Sequence, residues 1–423
     1  MKFIDLFSGL GGFHVGLAKN GHECVFSCEI DEKLRNLYKI NHGILPHDDI
    51  RTLEEKEIPV HDILCAGFPC QPFSLAGQKK GAMCPESGKL IDHVIRIAKF
   101  HQPKFILLEN VPNVITIEDG IFWKYIQKSF TDINYTLDFK IISPTDIGIP
   151  QNRKRVFIVG IRSDLEKNMF QWPHLDKAAH QVNLQQILDI NYEHKKLEPK
   201  KMKLLSKWQE LLDQIKLNDI GSISIVAPEF GANYPHDFSK LTLKEMKQYR
   251  GAYGQELGQC NSWEAIMALM PSYVQKNKKI PNWIERSITF TRELYIKYSK
   301  TCDKWVLGLD KTNNSWQILE WRGLRDNINI NNHIVQFRAS GIRILKPNIA
   351  PSLIAMTPTQ IPIIPSQSRY VSKHEAAKLQ HLEGLKCLPN DTKDAFKALG
   401  NAVNAKIIEI ISKSLCSIEK SLA

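Results

Sequence analysis

The chain has 423 residues, of which 43% are hydrophobic and 24% charged, and its formal net charge is +11. No run of about 18 apolar residues occurs, which excludes a membrane span, and an acid as early as Asp5 does not fit a signal peptide. Nine cysteines without regular spacing argue against a disulfide framework and for a reducing, cytoplasmic setting.

A positive excess of this size favours polyanions as partners, nucleic acid first among them, although a merely basic surface is an equal reading of charge alone. Cys24 with Cys28 and Cys65 with Cys70 lack a second pair and histidines at zinc-finger distances, so no metal site is expected.

Residues 1–173 alternate strand-like and helix-like segments. Lys2 to Phe7 reads as a strand, Ser8 to Gly12 as a glycine turn, Phe13 to Asn20 as a helix and Cys24 to Glu29 as the next strand. Further strands are expected at Asp62–Ala66, Phe105–Leu108, Thr136–Ile142 and Arg155–Ile161, with a helix near Leu90–Phe100. Such alternation implies an α/β fold whose parallel sheet is covered on both faces. Beyond Pro173 the texture changes: residues 174 to about 340 are rich in Lys, Asn and Gln and read as a second domain of irregular strands and long loops. Residues 396–423 return to helical spacing through Ala402, Val403, Ile407, Ile408, Ile411 and Leu415.

Three places carry candidate chemistry. The turn at Gly9, Gly11 and Gly12 follows a strand and precedes a helix, where backbone N–H groups can meet a ligand. Its spacing is not the full dinucleotide pattern. Glu29 and Asp49 fall where acids could meet a ribose and an adenine, although each alone suits a solvated loop. Cys70, in Gly67-Phe68-Pro69-Cys70, leaves the carboxyl end of a strand, where open α/β sheets build clefts; a buried filler is the bland alternative. Glu109, after four apolar residues, would share that edge, and burial would raise its pKa toward a proton donor; a helix cap is the alternative. Strand alternation projects Gln151, Arg153 and Arg155 to one face as a cationic edge.

In this order these segments resemble the 5-methylcytosine DNA methyltransferases. Asp5-Leu6-Phe7-Ser8-Gly9 to Gly12 is similar to the family's cofactor loop, Glu29 to its ribose-binding acid and Asp49-Ile50 to its adenine-binding pair. Gly67 to Gln71 is similar to the catalytic segment, Glu109-Asn110-Val111 to the acid motif and Gln151-x-Arg153-x-Arg155 to the paired arginines. Arg369-Tyr370 with Glu375 to Gln380 is similar to the segment that organises recognition, and Gly400-Asn401-Ala402-Val403 to the last motif. Ile30 stands where many members place an aromatic ring, and His381-Leu382-Glu383 replaces a common Phe-Pro.

The resemblance implies a Rossmann-like S-adenosyl-L-methionine-dependent domain in residues 1–173. It implies a smaller target-recognition domain in 174–395 and a segment, 396–423, that returns to the first. Phe7, Ser8, Gly9, Gly11, Gly12, Glu29, Ile30, Asp49, Ile50, Asn401 and Ala402 would hold the cofactor. Cys70 would add to carbon 6 of a flipped cytosine, with Glu109 at ring nitrogen 3 and Arg153 and Arg155 steadying the ring. The residues 73–90 would form a mobile lid. Double-stranded DNA is the implied substrate, a restriction endonuclease the functional counterpart and a monomer the expected form. A tRNA cytosine-5 methyltransferase and a catalytically dead DNA-binding paralogue are the alternatives. Arg322, Arg325 and Arg338 are candidates for reading bases, although for each a phosphate contact or a plain surface position is the commoner reading.

Overall fold

The computed structural model of the protein describes residues 1–69, 90–165, 170–175, 182–215, 224–353 and 360–422. The chain divides into two units: Met1–Tyr192 with Asn348–Pro358 and Ser372–Ala423, and Glu193–Pro347 with Thr359–Val371. Among the described residues no helix is long and apolar enough to cross a membrane.

In the first unit, β1 (Lys2–Leu6), β2 (Glu23–Cys28), β3 (Ile63–Ala66), β4 (Phe105–Asn110), β5 (Tyr135–Ile142) and β7 (Arg155–Arg162) form one sheet. Its order is β2-β1-β3-β4-β7-β5. The first four strands are parallel, but β7 runs antiparallel to both β4 and β5, correcting the expectation of an all-parallel sheet. The connection from β5 to β7 holds only short turns and β6 (Gln151–Asn152), which pairs with β12 (Ala350–Pro351). Without a crossover helix the chain returns beside itself in the opposite sense.

Alternate residues of these strands feed two cores. Ile4, Leu6, Leu64, Ala66, Ile106 and Leu108 pack with the buried faces of α3 (Leu90–His101) and α4 (Ile121–Thr131). Phe3, Ile63, Cys65, Phe105 and Leu107 pack instead with α1 (Gly12–Ala18) and α12 (Ala405–Leu422). Each aliphatic side chain fully buried this way contributes about 1.5–3 kcal/mol. Helix α12 seats closely on α1: a Cβ on Gly16 would lie 2.5 Å from the Ala405 carbonyl oxygen. The Asn20 amide donates to the Glu409 carbonyl at 2.7 Å. Helices α2 (Glu32–His42), α10 (Lys373–Leu379) and α11 (Thr392–Asn401) complete this unit.

The second unit is more regular than its composition suggests. Strands β8 (Ser224–Val226), β9 (Ile318–Arg322), β10 (Ile334–Arg338), β11 (Gly341–Leu345), β13 (Ile363–Ile364) and β14 (Arg369–Tyr370) form a sheet in the order β14-β13-β10-β11-β9-β8. Around it stand α5 (Pro199–Leu212), α6 (Leu243–Met246), α7 (Trp263–Ala268), α8 (Ser272–Gln275) and the 22-residue α9 (Glu285–Val306). The expected irregular strands and loops are therefore corrected to a sheet-and-helix unit. Its helices escape sequence periodicity because α9 buries only Ile288, Thr291, Leu294, Cys302, Trp305 and Val306 among many polar residues. A buried carboxylate, Glu229, anchors α9: Arg292 lies 2.8 Å from it, and the hydroxyls of Tyr234 and Tyr273 donate to it.

Candidate active site

Candidates from five strands of the first unit meet at one edge of the sheet. The carboxyl ends of β1, β2, β3 and β4 deliver Phe7, Glu29, Gly67 and Glu109, and because β7 is antiparallel its first residue, Arg155, arrives at the same edge. The chain runs from β1 outward to β2 and then back to β3 on the other side of β1, so the strand order reverses there. Such a reversal opens a crevice for a ligand.

The loop after β1 is wound tightly. Phe7, Gly9 and Gly11 all have left-handed backbones, with φ of 56°, 53° and 84°. For Phe7, a bulky residue, this is a strained conformation of the kind found at ligand sites. The Gly9 N–H donates to Glu29 Oε2 at 2.8 Å and the Asp31 N–H to Glu29 Oε1 at 2.9 Å, so the acid at the end of β2 holds the loop. Burial raises the pKa of Glu29, against the lowering effect of those N–H groups. Beside Gly9 a Cβ would meet nothing within 4 Å, and the Ser8 hydroxyl is buried without a hydrogen-bond partner among the described residues. Open space and an unsatisfied hydroxyl beside N–H groups fit a polar ligand approaching the backbone.

Two neighbours explain the other glycines. A Cβ on Gly11 would lie 2.3 Å from His42 Nε2, and a Cβ on Gly12 the same distance from the Val403 carbonyl oxygen. His42 Nε2 also donates to the Leu10 carbonyl at 3.1 Å, its ring stacked on His14 with centroids 4.2 Å apart. The sequence reading missed His42 and Tyr38, whose hydroxyl bonds His14 Nδ1 at 2.8 Å. Their signal is their spacing of four, one turn of α2, which puts both on the face toward the loop. Ile30 is 64% exposed and free to meet a ligand, whereas Ile50 is buried in the core. The Asp49 carboxylate is held by Arg51 at 2.6 Å, which lowers its pKa. Asn401 ends α11 exposed, and Ala402 is buried beside it.

Glu109 is buried at the end of β4, and burial pushes its pKa up, with Arg155 and then Arg153 opposing. Arg155 Nε stands 3.1 Å from Glu109 Oε1. Arg153 is buried and donates to the Ala402 carbonyl at 3.1 Å; burial, then Arg155, pull its pKa down to about 9. Gln151, expected beside the two arginines, faces Gln380 instead, because β6 ends at Asn152 and breaks the alternation. Asn110 is a further residue of consequence: its Nδ2 donates to the Phe68 carbonyl at 3.1 Å, tying the chain after β3 to the end of β4. Cys70 and residues 73–89 lie outside the described residues.

A family model described as C-5 cytosine-specific DNA methylase matches residues 1–417. The chain is 40% identical to the Type II methyltransferase M.HhaI of Haemophilus parahaemolyticus over 41% of this chain, and the match spans about half of that relative, 53%. To the Type II methyltransferase M.HgiBI of Herpetosiphon aurantiacus it is 29% identical over 98% of this chain and 96% of the other. A solved structure of a protein encoded within an E. coli prophage shares the fold at a TM-score of 0.54 and 20% identity, covering 99% of both chains. With the motif order, the sheet edge that gathers Phe7, Glu29, Gly67, Glu109 and Arg155 and a family match over nearly the whole length in agreement, the chain belongs to the C-5 cytosine-specific DNA methylase family.

Proposed function

We propose that the protein transfers a methyl group from S-adenosyl-L-methionine to carbon 5 of cytosine within a short sequence of double-stranded DNA. Its biological role on this reading is protection of DNA against a cognate restriction endonuclease. One observation carries the proposal. The Asn110 side chain fixes the Phe68 carbonyl, two residues before Cys70, to the strand end that bears Glu109. The chain leading toward Cys70 and the acid thus leave the sheet side by side, which supports the reading.

S-adenosyl-L-methionine, when bound, supplies an electrophilic methyl. The glycine loop with Ser8 would face it, Glu29 would accept from its ribose hydroxyls, and Ile30, Asp49 and Asn401 would flank its base. Cys70 as thiolate would add to carbon 6 of cytosine and make carbon 5 nucleophilic; loss of the carbon 5 proton would later release the thiolate. Glu109, whose burial favours the protonated form, would donate toward ring nitrogen 3. Arg155 beside it would bind the ring oxygen, the kind of donor worth roughly 3–4 kcal/mol at an anionic centre.

Incubation of duplex DNA and of tRNA with tritiated S-adenosylmethionine tests this. Label in DNA, recovered as 5-methylcytosine and lost in Cys70→Ser, is the expected result. Label in tRNA alone, or in neither, overturns the proposal.

A further inference from the structure

The recognition sheet has two unlike faces. Register places Leu319, Trp321, Val335, Phe337, Ile342 and Ile344 on one side, all buried. The other side carries Ser224, Glu320, Arg322, Gln336, Arg338 and Arg343, brought level by the pairs Ser224 with Glu320, Glu320 with Arg343, and Gln336 with Arg343. Val226, Ile318, Ile334 and Gln336 on this side are buried, so its open part is the stretch around Arg322, Arg338 and Arg343. Glu320 is the one acidic residue in these six strands.

The charges on this face do not balance. Glu320 grips two arginines at once, Arg322 Nε at 2.5 Å on one oxygen and Arg343 Nε at 2.6 Å on the other. Both of its oxygens are thereby committed. Arg338 completes a trio of guanidinium groups and has no ion pair or hydrogen bond of its own among the described residues. It is also half-buried, and desolvation followed by repulsion from Arg343 lowers its pKa. A cation kept partly out of water, beside like charges and near only a carboxylate that two other arginines already grip, is costly unless a ligand supplies acceptors. A flexible surface arginine would suit a phosphate, but one confined on a rigid strand beside a clamped pair suits a fixed planar acceptor edge. The O6 and N7 atoms of guanine in the major groove are such an edge, matched by two N–H groups of one guanidinium.

We propose that this polar face contacts target DNA and that Arg338 reads a guanine of the recognised sequence, with Glu320 acting as a positioning residue that fixes Arg322 and Arg343 beside it. The inference rests on the reading of the protein as a DNA methyltransferase and names one of its specificity-determining residues.

The test uses the full chain, wild type against Arg338→Ala, Arg338→Lys and Glu320→Gln, each first checked for an unchanged melting curve. Plasmid DNA carrying a randomised duplex cassette is methylated and bisulfite-sequenced. Anisotropy then measures binding, over a range of NaCl, to a duplex enriched by binding selection from the same randomised cassette and to a scrambled duplex. Discrimination at one G·C pair should drop about ten- to hundredfold in both Arg338 variants, because lysine keeps the charge but not the fork. Glu320→Gln should weaken the same discrimination less. If site choice and binding in Arg338→Ala equal wild type, the face does not touch DNA. A uniform loss over all sequences, with a shallower salt slope and rescue by Arg338→Lys, overturns base reading in favour of a phosphate contact. Failure of the wild type to methylate any cytosine rejects the parent reading, and the anisotropy arm, which needs no methyl transfer, still decides the fate of Arg338.

Discussion

Arg155 Nε stands 3.1 Å from Glu109 Oε1, yet that oxygen accepts no hydrogen bond within the described protein. The guanidinium is near enough to steady the carboxyl electrostatically and is not aimed to occupy it. An acid held in this way keeps a free edge, as the proposed donation to a ring nitrogen requires.

Glu109→Gln should therefore lower the single-turnover rate by about 10²–10⁴ while cofactor affinity stays within twofold or so of wild type. The wild-type rate should also fall as pH rises through the raised pKa of Glu109, because the donating form is the protonated one. A glutamine variant with near-normal turnover would remove Glu109 from the chemistry.

Glu29 works in the opposite direction. Its ionised form accepts the Gly9 and Asp31 N–H groups, and its pKa lies above the ordinary glutamate value. Cofactor affinity, followed by calorimetry, should weaken as pH falls through that raised value. Glu29→Gln should bind roughly ten- to a hundredfold more weakly at neutral pH, as expected for a lost charge-assisted acceptor, and should show a flatter pH profile.

Gly16→Ala tests the joint between the two ends of the first unit. Its Cβ would press on the Ala405 carbonyl at 2.5 Å and on Ile408 at 2.6 Å, and neither backbone nor a buried side chain yields cheaply. A loss of about 1–3 kcal/mol in denaturant unfolding is expected. An unchanged midpoint would mean that α12 sits more loosely on α1.

In the second unit, Arg292→Met should leave Glu229 buried with only two tyrosine hydroxyls as partners. The cost should be about 3–5 kcal/mol, and adding Glu229→Gln should recover part of it. Chemical denaturation of single and double variants measures that coupling, and strict additivity would refute it.

Strand ends were the most legible part of this protein. Glu29 and Glu109 each close a run of apolar residues, so their arrival at one sheet edge follows from the α/β pattern. The reversal at β7 was not legible, because strand periodicity carries no direction and only the short return from β5 fixes it. Arg343 and Glu320 escaped for a different reason. They lie 23 residues apart and meet only through the register of β9 with β11, which no local pattern specifies. His42 was hidden because the residue it packs over, Gly11, is a glycine, whose missing Cβ leaves room for a ring without announcing which ring.

The seating of α12 on α1 also has a consequence for synthesis. Phe13 and Leu17 share their core with Ile407, Ile408 and Ile411, nearly 400 positions further along. On a ribosome adding 5–20 residues per second, the first of these helices emerges roughly 20–80 s before the last. During that interval α1 has only the sheet as cover and lacks the part that α12 supplies, and the loop containing Gly12 lacks the Val403 carbonyl that packs against it. A nascent chain can complete the sheet of the second unit in the meantime. The loop containing Gly12 receives this backing only after about 400 residues have been added, so chains cut before α12 should lack a finished loop and, on the proposed reading, should not bind S-adenosyl-L-methionine.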